Sequence, residues 1–113
     1  VPQAPAEQLV LCLNEVLANV MAHGGRTVHS EPIRLQLEVW VDQDLGKASV
    51  TVSDAGIAFD PLSVPKKALP TTLDEATPGG MGLVLLRRFC SVLHYRREAG
   101  RNHLTFGTSW NPR

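Results

Sequence analysis

The feature that most constrains this chain is the stretch Ile33-Arg34-Leu35-Gln36-Leu37-Glu38-Val39-Trp40-Val41, in which apolar residues hold the odd positions and polar residues most of the even ones. A period of two fits an extended strand with one face turned to a core, because successive side chains of a strand point to opposite sides. Such a strand needs a hydrogen-bonded neighbour and apolar cover across its inner face. The neighbour follows at once. Residues 42–47 contain Asp, Gln, Gly and Lys and read as a hairpin loop, and Ala48-Ser49-Val50-Thr51-Val52-Ser53-Asp54 reads as the returning strand. Both strands carry one apolar face, which predicts a sheet covered on one side and wet on the other.

Two helical patterns can supply the cover. Leu9, Leu13, Val16 and Val20 recur at steps of four, three and four, the spacing of one helix face. They predict a helix over residues 6–22, after an irregular start that carries two prolines. Gly24-Gly25 supplies the stop, since glycine tolerates the left-handed conformation past a helix end. A second helix is predicted over residues 81–92. Leu83, Leu86 and Cys90 mark its face, and Val84, Leu85 and Phe89 widen it. A second hairpin follows, with strands over residues 93–98 and 103–110 around Ala99-Gly100-Arg101-Asn102. Residues 56–80 form a long loop with Pro61, Pro65, Pro70 and Pro78, with a short helical turn expected near residues 72–76. A loop of that length in a small domain is functional or mobile. The order is helix, two strands, loop, helix, two strands. It predicts an α+β, two-layer α/β sandwich, a single domain over residues 1–113.

Composition narrows the classes of function. Eleven basic residues balance eleven acidic ones, which argues against a nucleic-acid binder that depends on a broad basic face. No apolar run reaches the roughly 20 residues of a membrane span. No secretory signal opens the chain, and Val1 in place of Met suggests trimming or excision from a longer protein. Cys12 and Cys90 are far apart in apolar stretches and read as reduced core thiols of a cytoplasmic protein. His29, His94 and His103 show no zinc-ligand spacing with either cysteine.

Chemistry can sit in three segments. Glu15, Asn19 and His23 are spaced by four and share one side of the first helix. A carboxylate and an amide there can hold a hydrated divalent cation or orient a water; on spacing alone the plainer reading is a solvated polar face opposite the apolar stripe. In Val52-Ser53-Asp54-Ala55-Gly56, a strand runs into an aspartate and then a glycine. A carboxylate at a strand end can accept a hydrogen bond from an exocyclic amine, and the glycine lets a flat ring approach the backbone. The same residues also make an ordinary turn. Pro78-Gly79-Gly80-Met81-Gly82-Leu83 runs glycines into a helix start. Free amides and the helix dipole there favour a phosphate, although no Walker loop is present and a hinge reads equally well.

Taken together and in this order, the three segments resemble the motifs of the GHKL ATPase superfamily, closest to its anti-sigma factor serine kinase branch. Leu13-Asn14-Glu15-Val16-Leu17-Ala18-Asn19-Val20-Met21-Ala22-His23 is similar to the N box. Asp54-Ala55-Gly56-Ile57-Ala58-Phe59-Asp60-Pro61 is similar to the G1 box, and its Phe-Asp-Pro tail to that of the anti-sigma branch. Gly79-Gly80-Met81-Gly82-Leu83 is similar to the G2 box, and the hairpin over residues 95–106, with Asn102, to the closing strands.

The resemblance implies a Bergerat ATP-binding fold, a mixed sheet with helices on one face. It implies Glu15 as general base and Asn19 as the Mg²⁺ ligand beside the phosphates. Asp54 is implied as acceptor of the adenine amino group, with Gly56 making room for the ring. Gly80, Met81, Gly82 and Leu83 are implied as phosphate-binding amides. His23, Ala58, Phe59, Gly79 and Thr105 are implied as further nucleotide contacts, and residues 62–78 as a lid over ATP. Phosphoryl transfer needs mainly positioning and charge neutralisation, which such a set can supply. In the kinase branch the acceptor is a serine on an anti-sigma factor antagonist, a small STAS-domain protein, and the kinase otherwise holds a sigma factor. A non-catalytic nucleotide- or partner-binding module of a larger signalling regulator is the alternative.

The chain departs from the pattern at two points. Ala58 stands where many relatives have a second glycine, and a positive φ there would strain alanine. A further strand and helix usually precede the N box and contribute to dimerisation; only about a dozen residues precede Glu15 here, so those elements are expected to be missing and a homodimer is left open.

Overall fold

The computed structural model describes residues 1–63 and 82–112. The chain forms helix α1 (Gln3–His23), strands β1 (Arg34–Val41) and β2 (Gly46–Asp54), helix α2 (Gly82–Phe89), and strands β3 (Val92–Glu98) and β4 (Arg101–Trp110). Short 3-10 turns lie at Gly25–His29 and Pro61–Ser63. The α+β order matches the sequence reading. The helical turn expected near residues 72–76, and all of the expected lid except Leu62 and Ser63, lie outside the described residues.

α1 begins three residues earlier than its apolar pattern suggests. Pro2 is its N-cap and Pro5 sits in the first turn, where a missing N–H costs nothing because no partner is available to it. Ala6 N–H closes the first turn on Pro2 O at 3.1 Å. At the far end Gly24 still has helical angles (φ −71°), and Gly25 takes the left-handed ones (φ +70°). α2 is shorter than predicted, because Ser91 N–H already pairs with Gly107 O and commits the chain to β3.

The sheet order is β1-β2-β4-β3 and every pairing is antiparallel. The mixed sheet implied by the resemblance is therefore corrected among the described strands. β2 and β3 run the same way, but β4 folds back between them and pairs with both. The β3–β4 hairpin turns on Ala99 (φ 52°) and Gly100 (φ 75°), two left-handed residues of the kind that matches the strand twist. In the β1–β2 hairpin, Asp42 Oδ1 accepts the N–H groups of Asp44 and Leu45, both at 2.8 Å.

The two helices cover one face of the sheet. Leu9, Cys12 and Val16 of α1 and Leu86 of α2 pack on Ala48, Val50 and Val52 of β2 and on Leu104 and Phe106 of β4. The other face is open and polar, lined by Arg34, Gln36, Ser49, Thr51, His94, Arg96, His103 and Thr105 among others. Arg101 is buried at the edge of this open face. It donates to Ser53 Oγ and Ser53 O, to Pro32 O, and to Glu31 Oε2 at 2.6 Å, tying the loop before β1 to the sheet. No helix of the described residues is long and apolar enough to cross a membrane.

Candidate functional site

A pocket opens where the C-terminal half of α1 meets the ends of β2 and β4. Val16, Val20, Val52, Leu104, Ile57 and Phe59 make its apolar walls. Asn19, Asp54, Tyr95 and Asn102 bring the polar atoms. Small apolar clefts with a few converging polar groups are the usual form of a ligand site.

Asp54 is the last residue of β2 and is 4% exposed. Its Oδ1 accepts Gly56 N–H at 2.9 Å and Asn102 Nδ2–H at 3.1 Å. Among the described residues nothing donates to Oδ2. One carboxylate oxygen is thus fixed by the protein and the other is left as an acceptor at the pocket.

Asn102 lies opposite Asp54 in the β2–β4 register and holds the loop after β2 together. Its Nδ2 donates to Asp54 Oδ1 and to Ile57 O at 2.8 Å; its Oδ1 accepts Tyr95 O–H at 2.6 Å and Phe59 N–H at 3.3 Å. All four hydrogen-bonding positions of the amide are used, and exchanging its N and O would set donors against donors, so its orientation is fixed. Arg97 Nη1 adds a bond to Gly56 O at 2.7 Å from β3.

Gly56 is required here by close packing. A Cβ on it would come within 2.8 Å of Gly24 Cα, Gly24 O and Asp54 Oδ1. Ile57 N–H bonds to Gly24 O at 2.9 Å, so the glycine lets the end of α1 and the Asp54 loop meet backbone to backbone. Ala58 is exposed and is not among the positive-φ residues, so alanine is unstrained there. Asp60 Oδ1 accepts Leu62 N–H at 2.9 Å and starts the turn at Pro61–Ser63, an N-cap with proline at the first helical position.

The shared side predicted for Glu15, Asn19 and His23 divides in three. Asn19 falls on the core stripe of α1 with Leu9, Cys12 and Val16; it is 9% exposed and lines the pocket. Its amide has no hydrogen-bond partner among the described residues, which leaves it available to a ligand. His23 is exposed and stacks on Phe59, ring centroids 4.6 Å apart and 15° from parallel, closing the pocket's rim. Glu15 is half-buried and does not line the pocket formed by the described residues.

Gly79, Gly80 and Met81 lie outside the described residues. Gly82 and Leu83 open α2. Thr105 is a correction. Its hydroxyl pairs with that of Thr51 at 2.8 Å on the open face of the sheet, away from the pocket. Leu104 and Phe106 point into the core, so strand alternation turns Thr105 outward. The residue of β4 that reaches the site is Asn102, together with Tyr95 of β3. The same alternation could have found Asn102, which has the parity of Leu104 and Phe106 and a register position facing Asp54.

A strand-end carboxylate, a buried amide one helix away, and a glycine-rich segment leading into a helix are together the parts of an ATP-binding domain. Over residues 1–108 the chain matches the histidine kinase-like ATPase domain, and it belongs to that family. It is similar to the serine/threonine-protein kinase BtrW of Bordetella bronchiseptica, 39% identical over 97 residues. The match covers 86% of this chain and 66% of the relative, so the chain spans just under two thirds of that protein. Both findings agree with the anti-sigma factor kinase branch of the GHKL ATPases.

Proposed function

We propose that this domain binds ATP in the pocket between α1 and the sheet and passes its γ-phosphoryl group to a serine or threonine hydroxyl of a partner protein. The observation that carries the reading is Asp54, a buried carboxylate with one oxygen held by Gly56 and Asn102 and the other left toward the pocket. An acceptor in that position suits the 6-amino group of adenine and disfavours the 6-oxo group of guanine.

In this reading the apolar walls take the two faces of the base, and His23 on Phe59 shields its edge from water. The amides leading into α2 bind the phosphates. Asn19 offers a hard oxygen donor of the kind Mg²⁺ accepts, and no cluster of three acidic, histidine or cysteine ligands occurs among the described residues. That pattern fits a cation held mostly by phosphates and water. Bound Mg²⁺ would neutralise phosphate charge. Glu15 takes the proton of the attacking hydroxyl. The acceptor we propose is a serine on a small STAS-domain anti-sigma factor antagonist, with a sigma factor as the competing partner, in the cytoplasm. The relative named as a serine/threonine kinase supports transfer to a hydroxyl.

A second reading, a nucleotide- or partner-binding module without transfer, draws on the position of Glu15 outside the pocket lining. Glu15→Ala separates the two. Under the kinase reading ATP binding persists and phosphate transfer to the partner falls by about 10²-fold or more, the usual worth of a general base. Equal transfer rates for the two proteins would remove Glu15 from the mechanism.

A further inference from the structure

Cys12 and Cys90 are 78 positions apart, yet their sulfurs are in contact. Cys90 Sγ–H donates to Cys12 Sγ at 3.9 Å. Cys12 lies in the middle of α1 with no exposed surface. Cys90 is the first residue past α2, half-buried and in irregular backbone. One sulfur is therefore sealed in the core, and the other is half-buried at the junction of α2 and β3, where Cys90 N–H still bonds Leu86 O at 2.9 Å.

We infer that Cys12 and Cys90 form a reversible intramolecular disulfide that staples α1 to the end of α2. Closing the pair asks the sulfurs to approach from 3.9 Å to about 2.05 Å. Side-chain rotation and a small shift of the link after α2 can supply that. The hydrogen bond acts on the acidity of the two thiols in opposite senses, while burial pushes both up. Cys12 is held below the usual thiol range, because the Cys90 S–H bond favours its thiolate over the opposing effects of burial and the Glu15 charge. Cys90 is pushed up by that bond, by burial and by the Cys12 charge.

The oxidant class is a peroxide. Cys90 Sγ, its proton given to solvent, attacks a peroxide oxygen. The O–O bond breaks, Cys90 becomes a sulfenic acid, and hydroxide leaves and takes up a solvent proton as water. Cys12 Sγ, its own proton given to solvent, then attacks Cys90 Sγ. The S–O bond breaks, the S–S bond forms, and hydroxide leaves with a solvent proton as a second water. Two thiols lose two electrons and two hydrogens, and the peroxide gains them. The result ties the helix that bears Glu15 and Asn19 to the helix that follows the glycine segment.

The test treats the whole chain with hydrogen peroxide, then with dithiothreitol, and reads intact mass, a non-reducing peptide map and the melting temperature. The expected product is a monomer lighter by two hydrogens, with the Cys12 and Cys90 peptides joined. Its melting temperature rises by on the order of 10 °C, since the bridge closes a long loop of the unfolded chain, and dithiothreitol reverses both changes. Cys90→Ser and Cys90→Ala, at a half-buried position, should show neither change. Sulfinic or sulfonic acid at Cys90 without the joined peptides, disulfides between chains, or an unaltered mass would each overturn the inference.

Discussion

β1 and β4 carry similar alternating patterns and meet opposite fates. In β4, Leu104 and Phe106 are buried under the helices, and Asn102 on the same face is buried in the site. In β1, Leu35, Leu37, Val39 and Val41 stand opposite Val52, Val50, Ala48 and Gly46 of β2, so they share the helix-covered face. Yet all eight residues of β1 are exposed, Leu37 at 65%. The helix layer reaches β2 and stops short of the edge strand. The alternation of a strand thus says which side chains share a face, while strand order decides whether that face is covered. Stability and the site both concentrate in the two middle strands.

This contrast can be broken by substitution. Phe106→Ala removes a fully buried ring and should cost about 3–5 kcal/mol, read as a lower midpoint in urea. A cost under about 1 kcal/mol would show that β4 is not the centre of the core. Asn102→Ala withdraws two donors and an acceptor from the Asp54 loop and should cost about 1–3 kcal/mol. It should also weaken ATP binding, because Asp54 loses the partner that fixes it. An unchanged affinity would separate the amide from the site. Leu37→Ala, the same kind of truncation on the edge strand, should stay within about 0.5 kcal/mol. A loss comparable with that of Phe106→Ala would mean that the face of β1 is covered in solution.

The same contrast explains what could be read in the chain before its structure. Both hairpins and both helices follow from local periodicity, since each element is set by its own few residues. The start of α1 was hidden by Pro5, which reads as a breaker unless it is recognised as a first-turn residue. The inward position of Asn19 was hidden because one polar residue interrupts the apolar stripe of α1. The resemblance implies Thr105 at the site and is silent on Asn102 there, because it locates a strand without fixing its parity. Strand parity settles both. The exposure of β1 and the contact between Cys12 and Cys90 depend on how distant elements are arranged, and no local pattern carries that information.

The most direct test is calorimetric titration of the domain and its Asp54→Asn variant with ATP and Mg²⁺, with GTP as the control. Saturable binding of ATP over GTP by the original chain is expected. In the variant, ATP should bind roughly 10- to 100-fold more weakly, the worth of one hydrogen bond to a charged acceptor. Equal ATP affinity in a folded Asp54→Asn protein would contradict the assignment of the pocket to adenine.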